Sequence, residues 1–339
     1  MLDFSPFLDL PLLASCIMAL AVFLYVLLDG FDLGVGILFP FAPSKDCRDK
    51  MMNSIAPFWD GNETWLVLGG GLLFSAFPLA YAILLPAFYI PLILMLLGLI
   101  FRGVAFEFRF KEQGKMHILW DYSFHLGSVC ATFFQGILLG AFVSGVTTQG
   151  RAFGGGSFDW LNGFSVLTGI ALVFGYSLLG ATWLLMKTDH KTQEWARKIA
   201  FRSLFYVVFF LGIVSLWVPF LNETIFTRWF SLPNFFYFLP IPLLTGLSFL
   251  GLYKSLLKKQ EIQPFFIVLA IFSLGYLGLG ISLWPWIVPY HISIWDAAAG
   301  AKSLSLLLMA VVILLPVILG YTAYAYYVFR GKSRASYED

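Results

Sequence analysis

The sequence predicts an all-α polytopic membrane protein with nine transmembrane helices. Three observations predict it. The 339 residues are 60% hydrophobic and only 12% charged, with a mean hydropathy of +0.84, whereas a soluble domain carries about 25% charged residues. The apolar residues fall in long unbroken runs rather than in the strict alternation of a membrane β-barrel. The Lys and Arg residues alternate between dense and sparse connections, as the positive-inside rule requires.

Nine apolar segments can be drawn, at 10–38, 56–77, 79–101, 122–144, 163–186, 203–221, 235–253, 264–288 and 303–329. Each is long enough to cross about 30 Å of hydrocarbon as a helix. Of the 21 Lys and Arg, all but Arg151, Arg228 and Lys302 fall in the even-numbered gaps' opposite set: 45–50, 102–115, 187–202, 254–259 and 330–334. That split puts the amino terminus outside and the carboxyl terminus in the cytoplasm. An even number of spans would destroy the alternation. Trp160, Trp217, Trp229, Trp284, Trp286 and Trp295 fall near the outer boundary, and Trp59, Trp120, Trp183 and Trp195 near the inner one, as aromatic belts do. The longest connections are 145–162 outside and 187–202 inside, and neither can hold a soluble domain. The whole chain, 1–339, reads as a single integral membrane domain.

The second span is the one around which the chain is organised. It carries Asp60 and Glu63, and only 14 residues separate Glu63 from Pro78. A crossing of about 20 residues must then start near Pro57, with both acids inside it. A charge at mid-bilayer costs roughly 2.5–3.5 kcal/mol, and such residues usually face protein or water and serve a function. Asp29 and Asp32 lie near the inner end of the first span, three residues apart and so on one helix face. Asp60 and Glu63 share a face for the same reason. Arg102, Glu107 and Arg109 follow at the inner end of the third span, and Asp121 and His125 open the fourth. Four consecutive helices therefore aim polar groups at one level of the membrane. One reading is a structural ion-pair network, with Arg102 and Arg109 neutralising the acids. The other is a proton uptake route, because acids in low dielectric that outnumber their cations take up protons.

Several classes drop out. A net charge of +2 suggests no nucleic-acid partner. Cys16, Cys47 and Cys130 form no CxxC pair and frame neither a disulfide scaffold nor a zinc site. The acidic start MLDFSPFLDL runs directly into the first span and does not read as a signal peptide. His125 is the one histidine inside a drawn span, so a haem with two histidine ligands is not built here; a pairing with Met18 or Met95 stays formally open. Small residues recur at helix spacing, at Gly30 and Gly34, at 69–71, and at Gly175, Ser177 and Gly180, where they let helices approach closely. The run at 69–71 follows no strand and precedes no Lys, so it is not a nucleotide loop; the run at 154–156 reads as a flexible outer loop.

DGFDLGVGILFPF at 29–41, NSIAPFWDGNETWL at 53–66, FRGVAFEFR at 101–109 and WPWIVPYHISIWDAAAG at 284–300 together resemble subunit II of the cytochrome bd ubiquinol oxidase family. The short outer connection at 222–234 is similar to that of its cyanide-insensitive branch. The resemblance implies a bacterial inner-membrane complex that oxidises quinol and reduces dioxygen to water. It implies that haems b and d, or b alone, sit in a homologous subunit I, and that subunit II ligates no haem. It implies two four-helix bundles, 10–144 and 163–288, plus a peripheral ninth helix at 303–329. It links Asp60 to a proton pathway, places Trp65 at the mouth of an oxygen route, and allows a quinone or lipid as a structural ligand and a small single-span subunit as an added partner. The alternative from the residues alone is a proton-coupled secondary transporter, which would want broken helices facing each other at the midplane; Pro86, Pro91 and Pro219 break apolar runs, but no polar site stands opposite them.

Reporter fusions after Lys115 and after Lys259 are expected to report cytoplasm, and one at Gly155 the outside. An outside signal at Lys259 overturns the nine-span topology.

Overall fold

The computed structural model describes residues 8–109, 111 and 115–334; the amino-terminal stretch 1–7, whose acidic character entered the signal-peptide reading, lies outside them. The described chain is almost entirely helical. Helix α1 (Leu10–Leu38) is capped by Asp9, whose side chain accepts from the Leu12 amide, with a proline in its first turn, where a missing N–H costs nothing. A tight FPF turn leads to α2 (Lys45–Ile55), capped by Ser44. Then come α3 (Trp59–Ala76), α4 (Pro78–Arg109) and α5 (Lys115–Ser144). A hairpin of β1 (Thr148–Gln149) and β2 (Ala152–Phe153) follows. Helix α6 (Gly163–Lys187) opens with a reciprocal Asn162–Ser165 capping box. Helix α7 (His190–Trp217), the short α8 (Glu223–Phe230) and α9 (Asn234–Phe238), α10 (Pro240–Leu257) and α11 (Gln263–Leu283) follow. A second hairpin, β3 (Trp286–Val288) with β4 (Ile292–Ser293), precedes the last helix, α12 (Ala301–Val328).

Among the described residues, eight helices are long and apolar enough to cross a membrane. The expected second span is not one of them. It is α3, with 18 residues and Asp60, Asn62 and Glu63 in its first turns. Its contacts nevertheless follow α1 along most of that helix. Asn62 meets Leu28 and Asp32, Trp65 packs with Ala21 and Tyr25, Gly69 lies against Val22, and Leu72 and Ala76 join Leu10 and Ala14.

Other boundaries moved for physical reasons. The connection 187–202 is not a loop. Helix α7 begins at His190, because the segment KTQEWARKIAFR is made largely of good helix formers, so the helix runs on past the apolar stretch. Helix α4 likewise continues to Arg109 and passes through Pro86 and Pro91, which membrane helices tolerate when neighbouring groups re-satisfy the freed backbone. Trp183, placed in the inner belt by sequence, is buried; its ring stacks on Phe31 at 4.1 Å and its indole N–H donates to Ser54 at 3.2 Å. The glycines at 154–156 form a packed turn, with the Gly156 amide donating to Asp159 at 2.8 Å.

The core lies along α1, α4, α5 and α6, with an inner-end cluster around Phe31, Phe39, Phe124 and Trp183 and an outer-end cluster around Ala14, Leu72, Ile83 and Ile287. Close backbone approach builds it. A Cβ on Gly34 would overlap the Tyr176 carbonyl oxygen and stand 2.8 Å from the Gly180 nitrogen. A Cβ on Gly98 would come within 2.7 Å of the Ala131 nitrogen, and one on Gly127 within 2.8 Å of the Arg102 nitrogen. Only glycine fits such crossings. A Cβ on Gly70 or Gly71, by contrast, would meet no neighbouring element among the described residues.

Gly34→Ala is therefore expected to overpack the α1–α6 crossing and cost about 1–3 kcal/mol, lowering the thermal midpoint of the detergent-purified protein. Gly212→Ala, in open space on α7, should leave the midpoint unchanged or raise it. Equal midpoints for Gly34→Ala and the parent would contradict this packing.

Candidate proton-transfer site

Two tiers of charge stand toward one end of these helices. The deep tier lies between α1, α3 and α4. Arg102 of α4 is wholly buried, and so is Asp29 of α1. One guanidinium nitrogen donates to Asp29 at 2.6 Å, and the other lies 3.2 Å from Glu63 of α3. Arg102 also stands over the Trp59 ring at 5.7 Å. Asp32, one turn past Asp29 and equally buried, accepts from the Asn62 side-chain amide at 2.7 Å. The deep tier thus sets three carboxyl groups against one cation. Buried charges need partners and hydrogen bonds, and removing one member of a buried pair typically costs about 3–5 kcal/mol.

Exposure in this tier is graded along α3. Asp60 is exposed on the surface of this chain. The Glu63 side chain, one turn on, is 26% exposed, and Asp29 beyond it is at 0%. Asp60 takes part in no ion pair or hydrogen bond among the described residues. The chain carries its acids from its surface to its interior in two steps.

The end tier sits about 10 Å closer to the helix ends, the rise of the seven residues from Arg102 to Arg109. Arg109, wholly buried, bridges Asp121 of α5 at 2.5 Å and Asp49 of α2 at 2.8 Å, and lies over the Phe39 ring at 5.0 Å. Arg48 adds a second cation to Asp121 at 3.1 Å, and His117 lies 3.9 Å away. Two arginines meet two aspartates here. Beside this tier Lys50 donates to Asp189 at 2.7 Å and holds its carboxyl below the usual range.

The structure brings Asp29, Asp32, Glu63 and Arg102 together, with Asp60 at their rim. It puts Asp121 and Arg109 in the end tier. Glu107 points elsewhere and, among the described residues, pairs with Lys111 at 3.7 Å, with both side chains well exposed. His125 also stands apart: its Nδ1 lies 3.3 Å from the Gly36 carbonyl oxygen and its ring meets Phe41 edge-on. Met95 is packed in a buried apolar cluster. Trp65 is 1% exposed and seated on Ala21 and Tyr25. Sequence reasoning missed Asn62, Arg48, Asp49 and Tyr326. Asn62 was visible as a polar residue between the two acids of an apolar span; Tyr326, among the repeated tyrosines of YTAYAYY, carried no local signal.

Comparison with known proteins follows the same lines. Residues 10–329 match the family model described as cytochrome bd terminal oxidase subunit II. Cytochrome bd ubiquinol oxidase subunit 2 of Bacillus subtilis (strain 168) is 31% identical over 317 residues, covering 91% of this chain and 92% of that protein. Cytochrome bd-I ubiquinol oxidase subunit 2 of Escherichia coli (strain K12) is 29% identical over 347 residues, 91% of each. A chain of the bd oxidase from Geobacillus thermodenitrificans shares the fold, with a TM-score of 0.76 over 95% of this chain and 99% of that one at 16% identity. The match over nearly the whole described length sets aside the transporter alternative: the chain belongs to the cytochrome bd terminal oxidase subunit II family.

Proposed function

We propose that this chain serves a quinol:dioxygen oxidoreductase in two ways: it scaffolds the haem-bearing subunit I, and it supplies a proton uptake route from the cytoplasm. The observation that carries the second role is the deep tier, with three carboxyl groups around one guanidinium and exposure graded from Asp60 through Glu63 to Asp29. A balanced tier would hold its charges fixed. An unbalanced one can take and release a proton at a carboxyl while Arg102 stays charged. Asp60, Glu63, Asp29 and Asp32 form the series. Asp121, between Arg48 and Arg109, and His125, on the Gly36 carbonyl, complete the pathway at its cytoplasmic side.

The same proposal extends to the architecture. The chain crosses the inner membrane nine times, with α3 as the second span, its amino terminus outside and its carboxyl terminus in the cytoplasm. The contacts of α3 along α1 support the ninth crossing, and the distribution of Lys and Arg supports the orientation. The spans group as two four-helix bundles and a peripheral last helix. The haems, b with d or b alone, belong to subunit I. A quinone or lipid fills a groove of this chain, and a small single-span subunit joins the complex. Trp65, seated on Ala21 and Tyr25, stands at the entry of an oxygen route.

Asp60→Asn tests the route. Asparagine keeps the shape and most hydrogen bonding but cannot ionise. The expected outcome is a complex with normal haem content whose quinol-driven oxygen consumption per haem falls below a tenth, a barrier change of roughly 1.4 kcal/mol or more. Parental turnover with normal haem content would leave Asp60 a structural residue.

A further inference from the structure

The carboxyl-terminal end of the chain reaches the deep tier from 264 residues away in sequence. Asn62 is 1% exposed, and its side-chain amide has one donor edge and one acceptor oxygen. The donor edge meets two acceptors, the Asp32 carboxylate at 2.7 Å and the Leu28 carbonyl at 3.3 Å. The remaining amide oxygen is buried and needs a donor. The Tyr326 hydroxyl supplies it at 3.0 Å.

Tyr326 is itself held firmly. Its ring stacks on Phe58 at 4.4 Å, with Phe31 and Trp183 at its edges. Just beyond it the chain is strapped to the end of α6, to the turn before α11 and to α2. The Phe329 carbonyl accepts from the Lys187 ammonium. Lys332 pairs with Glu261 at 2.7 Å and holds that carboxyl below its usual range. The Ser333 amide donates to the Lys187 carbonyl at 2.6 Å and its hydroxyl to the Lys50 carbonyl at 2.9 Å, and the Arg334 carbonyl accepts from Asn53 at 3.0 Å. This strap sets the height of α12. A slip of one residue moves Tyr326 by about 1.5 Å along the helix axis, enough to break its bond to Asn62.

We propose that Tyr326 is a positioning residue for Asp32: its hydroxyl holds the acceptor oxygen of Asn62, so that the donor edge of that amide stays on the Asp32 carboxylate. If the amide turned over, its oxygen would face a carboxylate and a carbonyl, two acceptors that an acceptor repels. The last helix thereby tunes a carboxyl of the deep tier that it does not touch. The consequence for turnover rests on reading Asp32 as a member of the proton series; the effect on the carboxyl itself does not.

The experiment uses the assembled oxidase complex and Tyr326→Phe, which keeps the ring and its stacking and removes only the hydroxyl. Infrared spectra of complex labelled with carbon-13 aspartate locate the Asp32 carboxyl band, identified by its loss in Asp32→Asn. Oxygen consumption per haem is measured for Tyr326→Phe, Asn62→Ala and the double variant. The expected result is a shifted Asp32 band in Tyr326→Phe and a turnover about two- to tenfold lower, the range of one neutral hydrogen bond. Adding Tyr326→Phe to Asn62→Ala should bring no further loss, because the hydroxyl acts only through that amide. A shifted band with parental turnover supports the positioning and removes Asp32 from the proton series. An unmoved band, or full multiplication of the two losses in the double variant, overturns the proposal.

Discussion

The buried guanidinium of Arg102 is the constraint on which the rest depends. A cation wholly out of water is tolerable only where carboxylates and aromatic faces surround it, and here Asp29, Glu63 and the Trp59 ring do so. Those partners come from α1 and α3, so one side chain of α4 ties three helices at a fixed depth. The glycine contacts make this possible. Gly127 lets α5 approach α4 at the Arg102 backbone, and Gly98 lets the two helices cross one turn earlier. On the other side, Gly34 and Gly180 press α1 against α6. Side-chain charge and backbone proximity thus serve one end: acids held inside a membrane protein without being pulled to its surface.

The contrast between the two tiers gives the site its character. In the end tier, Arg48 and Arg109 face Asp49 and Asp121, cation for anion. Such a set binds α2 to α4 and α5. In the deep tier Arg102 faces three carboxyl groups, and Asp32 is held by an amide instead of a cation. The braced tier lies at the helix ends and the unbalanced one behind it. That order sets Asp29, Asp32 and Glu63 close to α3, the helix on which Asp60 stands exposed.

Much of this was legible in the sequence, for identifiable reasons. The first span was drawn at the residues where α1 begins and ends, because a long apolar run bounded by Asp9 and a Phe-Pro-Phe turn leaves little freedom. The three-residue spacings of Asp29 with Asp32 and of Asp60 with Glu63 placed each pair on a face, and a lone Arg102 inside a span pointed to its acids. The motifs pointed to the family for the same residues. What was not legible depends on contacts far apart in the chain. Nothing near Glu107 tells that it turns to Lys111 while Arg109 turns inward. The basic segment at 191–202 reads from its charge as a connection between spans, yet it is part of α7, since charge and helix propensity report different things. Trp183 looked like a belt residue because its place along the span fits one; only the packing of α2 and α12 over it makes it core. The bond from Tyr326 to Asn62 joins residues that no periodicity relates.

The central claim is that Arg102 is what permits the acids to lie inside the membrane, and its most direct measurement is the thermal loss of haem absorbance in purified complexes of Arg102→Gln and of Arg102→Gln combined with Asp29→Asn. The single change leaves buried carboxylates with no cation, and the double change removes the charge that the guanidinium contacts most closely. The account predicts that Arg102→Gln assembles poorly or loses its haems at a much lower temperature, and that the double variant recovers most of that loss. A single variant as stable as the parent, or a double variant no better than the single, would contradict it.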